Sequence, residues 1–291
     1  MDDAFDAPTS RQFSFQVHEL ALISLGTATT LALLAAGQCL KVVTLETAGL
    51  TILYTSVLLT CRGGTERFRI RLFASYGFVV WFYSAVARIT PALGTTLRDG
   101  TLFAIDKAIF GQTPAVFCEQ VASVWLTDLL SLCYLTYHFY LVIAVVHAAV
   151  VSNPAGRRLS IYLFTAFAIG FAGYLMVPAV GPAFACPELF QEPLPGGALA
   201  RLIADIVAAG SSRYDVFPSL HVLITCVLLD HDWREVRRRF WIMAGPTLGL
   251  VISAVYLRYH YGVDILAGFL LFVALRQTFL KLEKHVARIA Q

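Results

Sequence analysis

Runs of mostly apolar residues, each close to 20 long, alternate with short polar stretches along the whole chain, and about 20 such residues are what a membrane-spanning helix needs. Eight runs are legible, at about 17–37, 42–60, 72–91, 128–150, 160–180, 218–236, 240–259 and 262–280. The sixth is the weakest, because its apolar part extends only from Phe217 to Leu229 before the charged stretch Asp230 to Arg239 begins. The predicted fold class is therefore all-α, a polytopic transmembrane helical bundle of about eight spans. Two longer intervening segments, about 92–127 and 181–217, hold enough apolar residues for helices lying in the membrane interface, with ordinary loops as the alternative. Within Ala198 to Ala209, Arg201 and Asp205 are four apart and would share one polar face of such a helix. Helices there would roof one end of the bundle and control the approach of lipid.

Composition agrees with this pattern. Of 291 residues, 58% are hydrophobic and 14% charged, and the mean hydropathy is +0.70. These are values of a membrane protein rather than a soluble domain. A net charge of only +3 gives no reason to expect a nucleic-acid partner. The partner this composition implies is the lipid bilayer.

The basic residues cluster, and their placement predicts orientation. Arg11, the group Arg62, Arg67, Arg69 and Arg71, the pair Arg157 and Arg158, the group Arg234, Arg237, Arg238 and Arg239, and the set Arg276, Lys281, Lys284 and Arg288 fall on one side if eight spans follow a cytoplasmic start. The first residues are acidic and polar and lack the basic start of a signal peptide, so 1–16 reads as a cytoplasmic tail. The expected organisation is that tail, N-terminal transmembrane helices over 17–91, a catalytic membrane domain over 92–280, and a basic cytoplasmic tail over 281–291. Asp128 is placed to open the fourth span as a helix-start acid. His18, His231 and His285 fall near the cytoplasmic ends of helices and read as interfacial, and His147 as structural. An alanine-rich chain with few loops suggests a bacterial inner membrane.

This topology puts two histidines on the opposite, periplasmic side. His221 follows Pro218 and Ser219 at a predicted helix start, and His260 is followed one helical turn later by Asp264. Ionisable groups at a membrane helix end call for a function. Four residues along a helix bring His260 and Asp264 to one face, where the carboxylate would hold one ring nitrogen and leave the other to attack phosphorus. A buried structural pair, or two metal ligands, is the alternative for these two residues alone. His221 would protonate the leaving oxygen. Ser219 and the free amides of its helix start would hold phosphate oxygens. Arg258 is the nearest guanidinium, with Arg213 and Lys107 as further cations. Tyr137, His138 and Tyr174 would line a cavity or hydrogen-bond between helices. None of the cysteines makes a CxxC pair, so no metal cluster is expected, and phosphoryl transfer by two imidazoles and a carboxylate calls for no cofactor. Cys118 and Cys186 fall in the two outer segments, where a disulfide and a pair of free thiols are both open.

Pro218-Ser219-x-His221 and His260-x-x-x-Asp264 resemble the second and third motifs of the type 2 phosphatidic acid phosphatase superfamily. Phe217 to His221 and Tyr256 to Asp264 are similar to its inositol phosphorylceramide synthase-like branch, as are Asp106-Lys107-x-x-Phe110-Gly111-x-x-Pro114 and Tyr174-x-x-x-Pro178-x-x-Gly181-Pro182. The resemblance covers about 100 to 280. It implies an extracytoplasmic site and metal-independent phosphoryl transfer, with His260 as nucleophile, Asp264 as its orienting partner and His221 as acid and then base. The chain departs from the superfamily in lacking the first motif, a Lys six residues before an Arg-Pro pair. It also has Ser253-Ala254 where Ser-Arg is usual, which leaves Arg258 as the substitute cation. The function expected is a lipid phosphatase or phosphotransferase, with a headgroup transferase using a lipid hydroxyl as the alternative. A transporter or cofactor carrier with His138, His147, His221 and His260 as ligands is the reading from another class. It is disfavoured because no internal repeat is present and the key histidines lie at an end rather than the midplane.

Overall fold

The computed structural model describes residues 15–61 and 65–289, with side chains described up to position 283. The tail residues 1–14 with Arg11, the loop residue Arg62, and the side chains of Lys284, His285 and Arg288 lie outside the described residues. In chain order the helices are α1 (Val17–Ala35), α2 (Val42–Thr60), α3 (Thr65–Ala92), α4 (Asp99–Phe110), α5 (Pro114–Glu119), α6 (Val124–Val151), α7 (Pro154–Met176), α8 (Pro182–Ala185), α9 (Ala198–Gly210), α10 (Leu220–Glu235), α11 (Arg237–Tyr256) and α12 (Gly262–Ile289). No strand occurs among the described residues.

Seven of these helices (α1, α2, α3, α6, α7, α11 and α12) are long and apolar enough to cross a membrane. The eighth expected span is α10, whose 16 residues reach roughly 24 Å and fall short of a ~30 Å hydrocarbon core. It still runs through the bundle, because α10 and α11 form a tight antiparallel hairpin about Val236, closed by Arg239 donating to Asp232 through Nε at 2.6 Å. A short helix is tolerated here because α10 is enclosed by α6, α7, α11 and α12 and does not face lipid along its length. The outward faces of the longer helices, by contrast, carry large apolar side chains such as Leu31, Ile52, Phe139, Val150, Trp241 and Leu270. An apolar belt of this extent belongs against lipid. The chain is an integral membrane protein.

Several threonines inside the spans are satisfied locally. The hydroxyls of Thr29, Thr47, Thr51 and Thr55 each donate to the carbonyl four residues earlier, so they enter an apolar environment without an unpaired group. Buried charges are paired at the end that the arginine clusters mark. Arg71 donates through Nε to Glu19 at 2.7 Å and ties α3 to α1, while Asp232 accepts from Arg239 and from Tyr140 of α6 at 2.9 Å. His18, expected at the interface, is instead buried against Phe164 of α7 with ring centroids 5.6 Å apart. The reason is that α1 packs along α7 over most of its length, which turns that face of α1 inward. The α6–α7 turn is set by Pro154 in the first helical turn and by Asn153, whose side chain accepts from the Gly156 amide at 2.8 Å.

Other boundaries shift for identifiable reasons. The fourth span begins at Val124 behind Ser123, not at Asp128, whose carboxylate instead accepts the amides of Gly197 and Ala200, both at 2.9 Å. Asp128 therefore caps α9 in the other outer segment, satisfying helix-start amides across the bundle end. Both outer segments fold as short helices rather than irregular loops. In α9, Ala200 and Ile203 are buried while Leu199, Leu202 and Ile206 stand exposed. Arg201 turns back to the Gly196 carbonyl at 2.8 Å and does not pair with Asp205. Cys118 and Cys186 are free and half-buried, so no disulfide joins the two outer segments.

Asp232→Ala would leave the Arg239 guanidinium without its partner in a buried position. We expect a loss of roughly 3–5 kcal/mol of stability, read as a lower unfolding midpoint in detergent, with the conservative Arg239→Lys costing less.

Candidate active site

Two short stretches meet at the end of the bundle opposite the paired charges. The first, residues 216–221, enters α10. The second, 257–264, leaves α11 and enters α12. They are joined directly, since the Ser219 amide donates to the Asp264 carbonyl at 3.1 Å. This approach needs small neighbours. A Cβ on Gly268 of α12 would stand 2.5 Å from the Ser219 carbonyl oxygen, and one on Gly173 of α7 would stand 2.2 Å from Pro218 Cδ. Ser219 caps α10 by accepting the Val222 amide at 3.5 Å and is fully buried. Its hydroxyl is thus a structural cap and does not face open space.

With the two stretches pinned, the rings of His221 and His260 lie edge to face with centroids 5.7 Å apart. His260 is held by its own amide donating to the Ala254 carbonyl at 3.0 Å. Its Nδ1 lies 3.5 Å from Asp264 Oδ2 without making a hydrogen bond to it. Asp264 Oδ2 also accepts the Tyr261 amide at 2.8 Å. His221 stacks between Tyr134 and Tyr137 of α6, with centroid distances of 4.6 and 4.7 Å. The buried atoms His221 Nδ1, His260 Nδ1 and Asp264 Oδ1 have no hydrogen-bond partner. Arg258 Nε is likewise buried and unpaired, so this end of the bundle gathers four such atoms, an arrangement costly in a packed interior.

His221 and His260 both line a cavity of about 890 Å³, within the usual range for a small-molecule site. Its wall also includes Tyr134, His138, Tyr259, Arg213 and Asp215, with Ala204 to Ala208 of α9 as the roof. Of the residues singled out from sequence, His221, His260, His138 and Arg213 line this space, and Asp264 and Tyr137 stand directly behind the two histidines. Tyr174 is buried in the main core, and Lys107 lies on the exposed side of α4, and neither lines the cavity.

Arg258 is buried beside the site rather than open to it. It donates to Glu119 at 3.1 Å and to the Glu192 carbonyl at 3.1 Å, and its guanidinium lies 4.0 Å from the Phe190 ring centroid. It joins the two outer segments to the loop that carries His260. Hydrogen bonds from the amides of Glu192 and Gln191, together with Arg258, hold the Glu119 carboxyl below the usual range. A depressed pKa means that this contact is complete above the normal carboxylate range and weakens as pH falls through the lowered value.

Two further carboxylates carry the architecture. Asp106 of α4 accepts the amides of Gly262 and Val263 at 2.9 and 2.8 Å, and also the Thr113 hydroxyl at 2.7 Å. It caps α12 from outside and so sets the level of Asp264. Asp99 accepts the Gly181 amide at 2.9 Å and the Tyr261 hydroxyl at 3.1 Å. Asp106 belongs to the upstream block noted in the sequence, although without an assigned role. Asp99 and Asp215 belong to neither the sequence motifs nor the predicted site. Each sits in a polar stretch, Arg98-Asp99 and Arg213-Tyr214-Asp215, that carries no local sign of the amide or hydroxyl it accepts.

The PAP2 superfamily sequence model matches residues 100–276, more than half of the chain, and the chain belongs to that superfamily. Its fold is that of a lipid phosphoesterase of phosphatase type, and members of the superfamily are generally phosphatases. No curated protein and no solved structure matches the chain.

Asp106→Ala is expected to free the first amides of α12, costing about 1–3 kcal/mol, and to let Asp264 drift from His260. The check is turnover measured beside thermal stability: activity should drop at temperatures where the variant is still folded.

Proposed function

We propose that the protein is an integral-membrane lipid phosphatase or phosphotransferase that uses His260 as nucleophile. The observation carrying this reading is that a histidine at the start of α10 and one in the α11–α12 loop meet edge to face, 5.7 Å between ring centroids, on the wall of one cavity, with a carboxylate behind one of them. Asp264 takes the Nδ1 proton of His260 in a hydrogen bond that forms when substrate is bound, which leaves the Nε2 lone pair for attack. Nε2 forms a bond to phosphorus while the bond from phosphorus to the leaving oxygen breaks. His221 gives a proton to that oxygen. The neutral His221 then takes a proton from the acceptor, whose oxygen displaces His260 from phosphorus. Arg213 is the cation that holds the non-bridging oxygens, and Arg258 keeps the roof in register with His260. No metal takes part in these steps.

Water as acceptor gives a phosphatase. A lipid hydroxyl gives a headgroup transferase of the inositol phosphorylceramide synthase type, and a cavity of about 890 Å³ favours this second reading because it has room for two lipid headgroups. The exposed apolar face of α9 supports lateral access of lipid from the bilayer. The arginine clusters at the far end support an extracytoplasmic site by the positive-inside rule, and the alanine-rich chain with few loops supports a bacterial inner membrane, with the site facing the periplasm.

The deciding experiment offers purified protein phosphatidic acid, a polyprenyl diphosphate, or phosphatidylinositol with ceramide, and follows free phosphate and new phosphodiester lipids by mass spectrometry. His260→Ala should abolish turnover, and Asp264→Asn should lower it by about 10²-fold, while EDTA leaves the rate unchanged. Normal turnover by His260→Ala removes the nucleophile from this scheme. For orientation, Gly100 is exposed with no atom within 4 Å of an added Cβ. In a cysteine-free background, Gly100→Cys should react with an impermeant thiol reagent from the extracytoplasmic side; labelling only from the cytoplasm reverses the topology.

A further inference from the structure

The cavity carries a feature that phosphate chemistry alone does not explain. A site built only for a phosphate anion would be lined by cations, yet this wall holds one arginine, Arg213, and two carboxylates, Asp205 and Asp215. Asp215 is firmly fixed. Its Oδ2 accepts the hydroxyl of Tyr83, and its Oδ1 accepts Ser211 Oγ at 3.1 Å. Each carboxylate oxygen can accept a further hydrogen bond, so Asp215 retains acceptor capacity after these two contacts. Tyr83 belongs to α3, outside the residues that match the superfamily. The N-terminal helices therefore do more than anchor the chain, because one of them reaches the cavity and orients a carboxylate there.

A carboxylate held near a phosphate site is repulsive to a bare phosphomonoester and attractive to a substrate that presents a hydrogen-bond donor at that point. We propose that Asp215, oriented by Tyr83, is a specificity-determining residue that accepts a hydrogen bond from the hydroxyl or ammonium group of a headgroup, so that the preferred substrates are phosphodiester lipids with a donor-bearing headgroup. This rests on the reading of the cavity as a lipid-phosphate site. It selects phosphodiesters over phosphatidic acid within that reading. Asp205 on α9 adds negative potential on the same wall.

The test is binding rather than turnover, so that it survives failure of the catalytic scheme. Full-length His260→Ala protein in detergent would be titrated with fluorescent phosphatidylglycerol, phosphatidylethanolamine and phosphatidic acid. The first two arms separate hydroxyl from ammonium donors. Adding Asp215→Asn should weaken phosphatidylglycerol or phosphatidylethanolamine, or both, by about tenfold while leaving phosphatidic acid equal or tighter, as expected for loss of one charge-assisted hydrogen bond. Tyr83→Phe should shift selectivity in the same direction by a smaller factor. Parallel loss for all three lipids, or no change for any, overturns the proposal, and an unfolded Asp215→Asn variant passes the decision to Tyr83→Phe. In the active protein, the same substitution should raise KM for the donor-bearing lipid more than it lowers kcat. Wild-type protein that binds with this selectivity yet turns over none of the lipids would refute the catalytic reading alone.

Discussion

Helix-start amides at the membrane surface must find acceptors where water is scarce, and in this protein carboxylates from distant parts of the chain supply them. The amides of Tyr261, Gly262 and Val263 are taken by Asp264 and Asp106, and those of Gly197 and Ala200 by Asp128. Because an unpaired buried amide costs as much as a lost hydrogen bond, these contacts are obligatory rather than decorative. They fix the level at which α12 begins, and with it the position of Asp264. The bond from the Ser219 amide to the Asp264 carbonyl then brings α10 and His221 to the same level. The relation between the two histidines is a consequence of helix capping as much as of helix packing.

The two ends of the bundle handle charge differently. At the arginine-rich end, Glu19 with Arg71 and Asp232 with Arg239 are buried as matched pairs and hold helices together. At the other end, Asp264 is buried beside a histidine without a hydrogen bond between them, and its second oxygen is unpaired. A matched pair gains little from a ligand, whereas a mismatched group gains when a ligand draws the proton into place. The same contrast separates Arg258 from Arg213. The first is committed to Glu119 and Phe190, while the second stands on the cavity wall. Arg258 lies two residues from His260 in sequence, but the packing of the outer segments uses it as a joint.

Hydropathy runs, arginine clusters and the two histidine blocks were enough to read an all-helical membrane bundle, most of its spans, and the residues His221, His260 and Asp264 that meet at one end. These features are local. A helix declares its period and length within its own residues, and a histidine next to a helix start declares its setting. Only the tertiary structure decided that α10 is a short helix enclosed by its neighbours, that His18 turns inward, that Asp128 caps α9 rather than its own helix, and that Cys118 and Cys186 remain apart. It alone brought Asp99, Asp106 and Asp215 into use, with partners between 4 and 162 positions away in the chain. A carboxylate's role depends on which amides, hydroxyls or cations the fold delivers to it, and no short stretch of sequence records that.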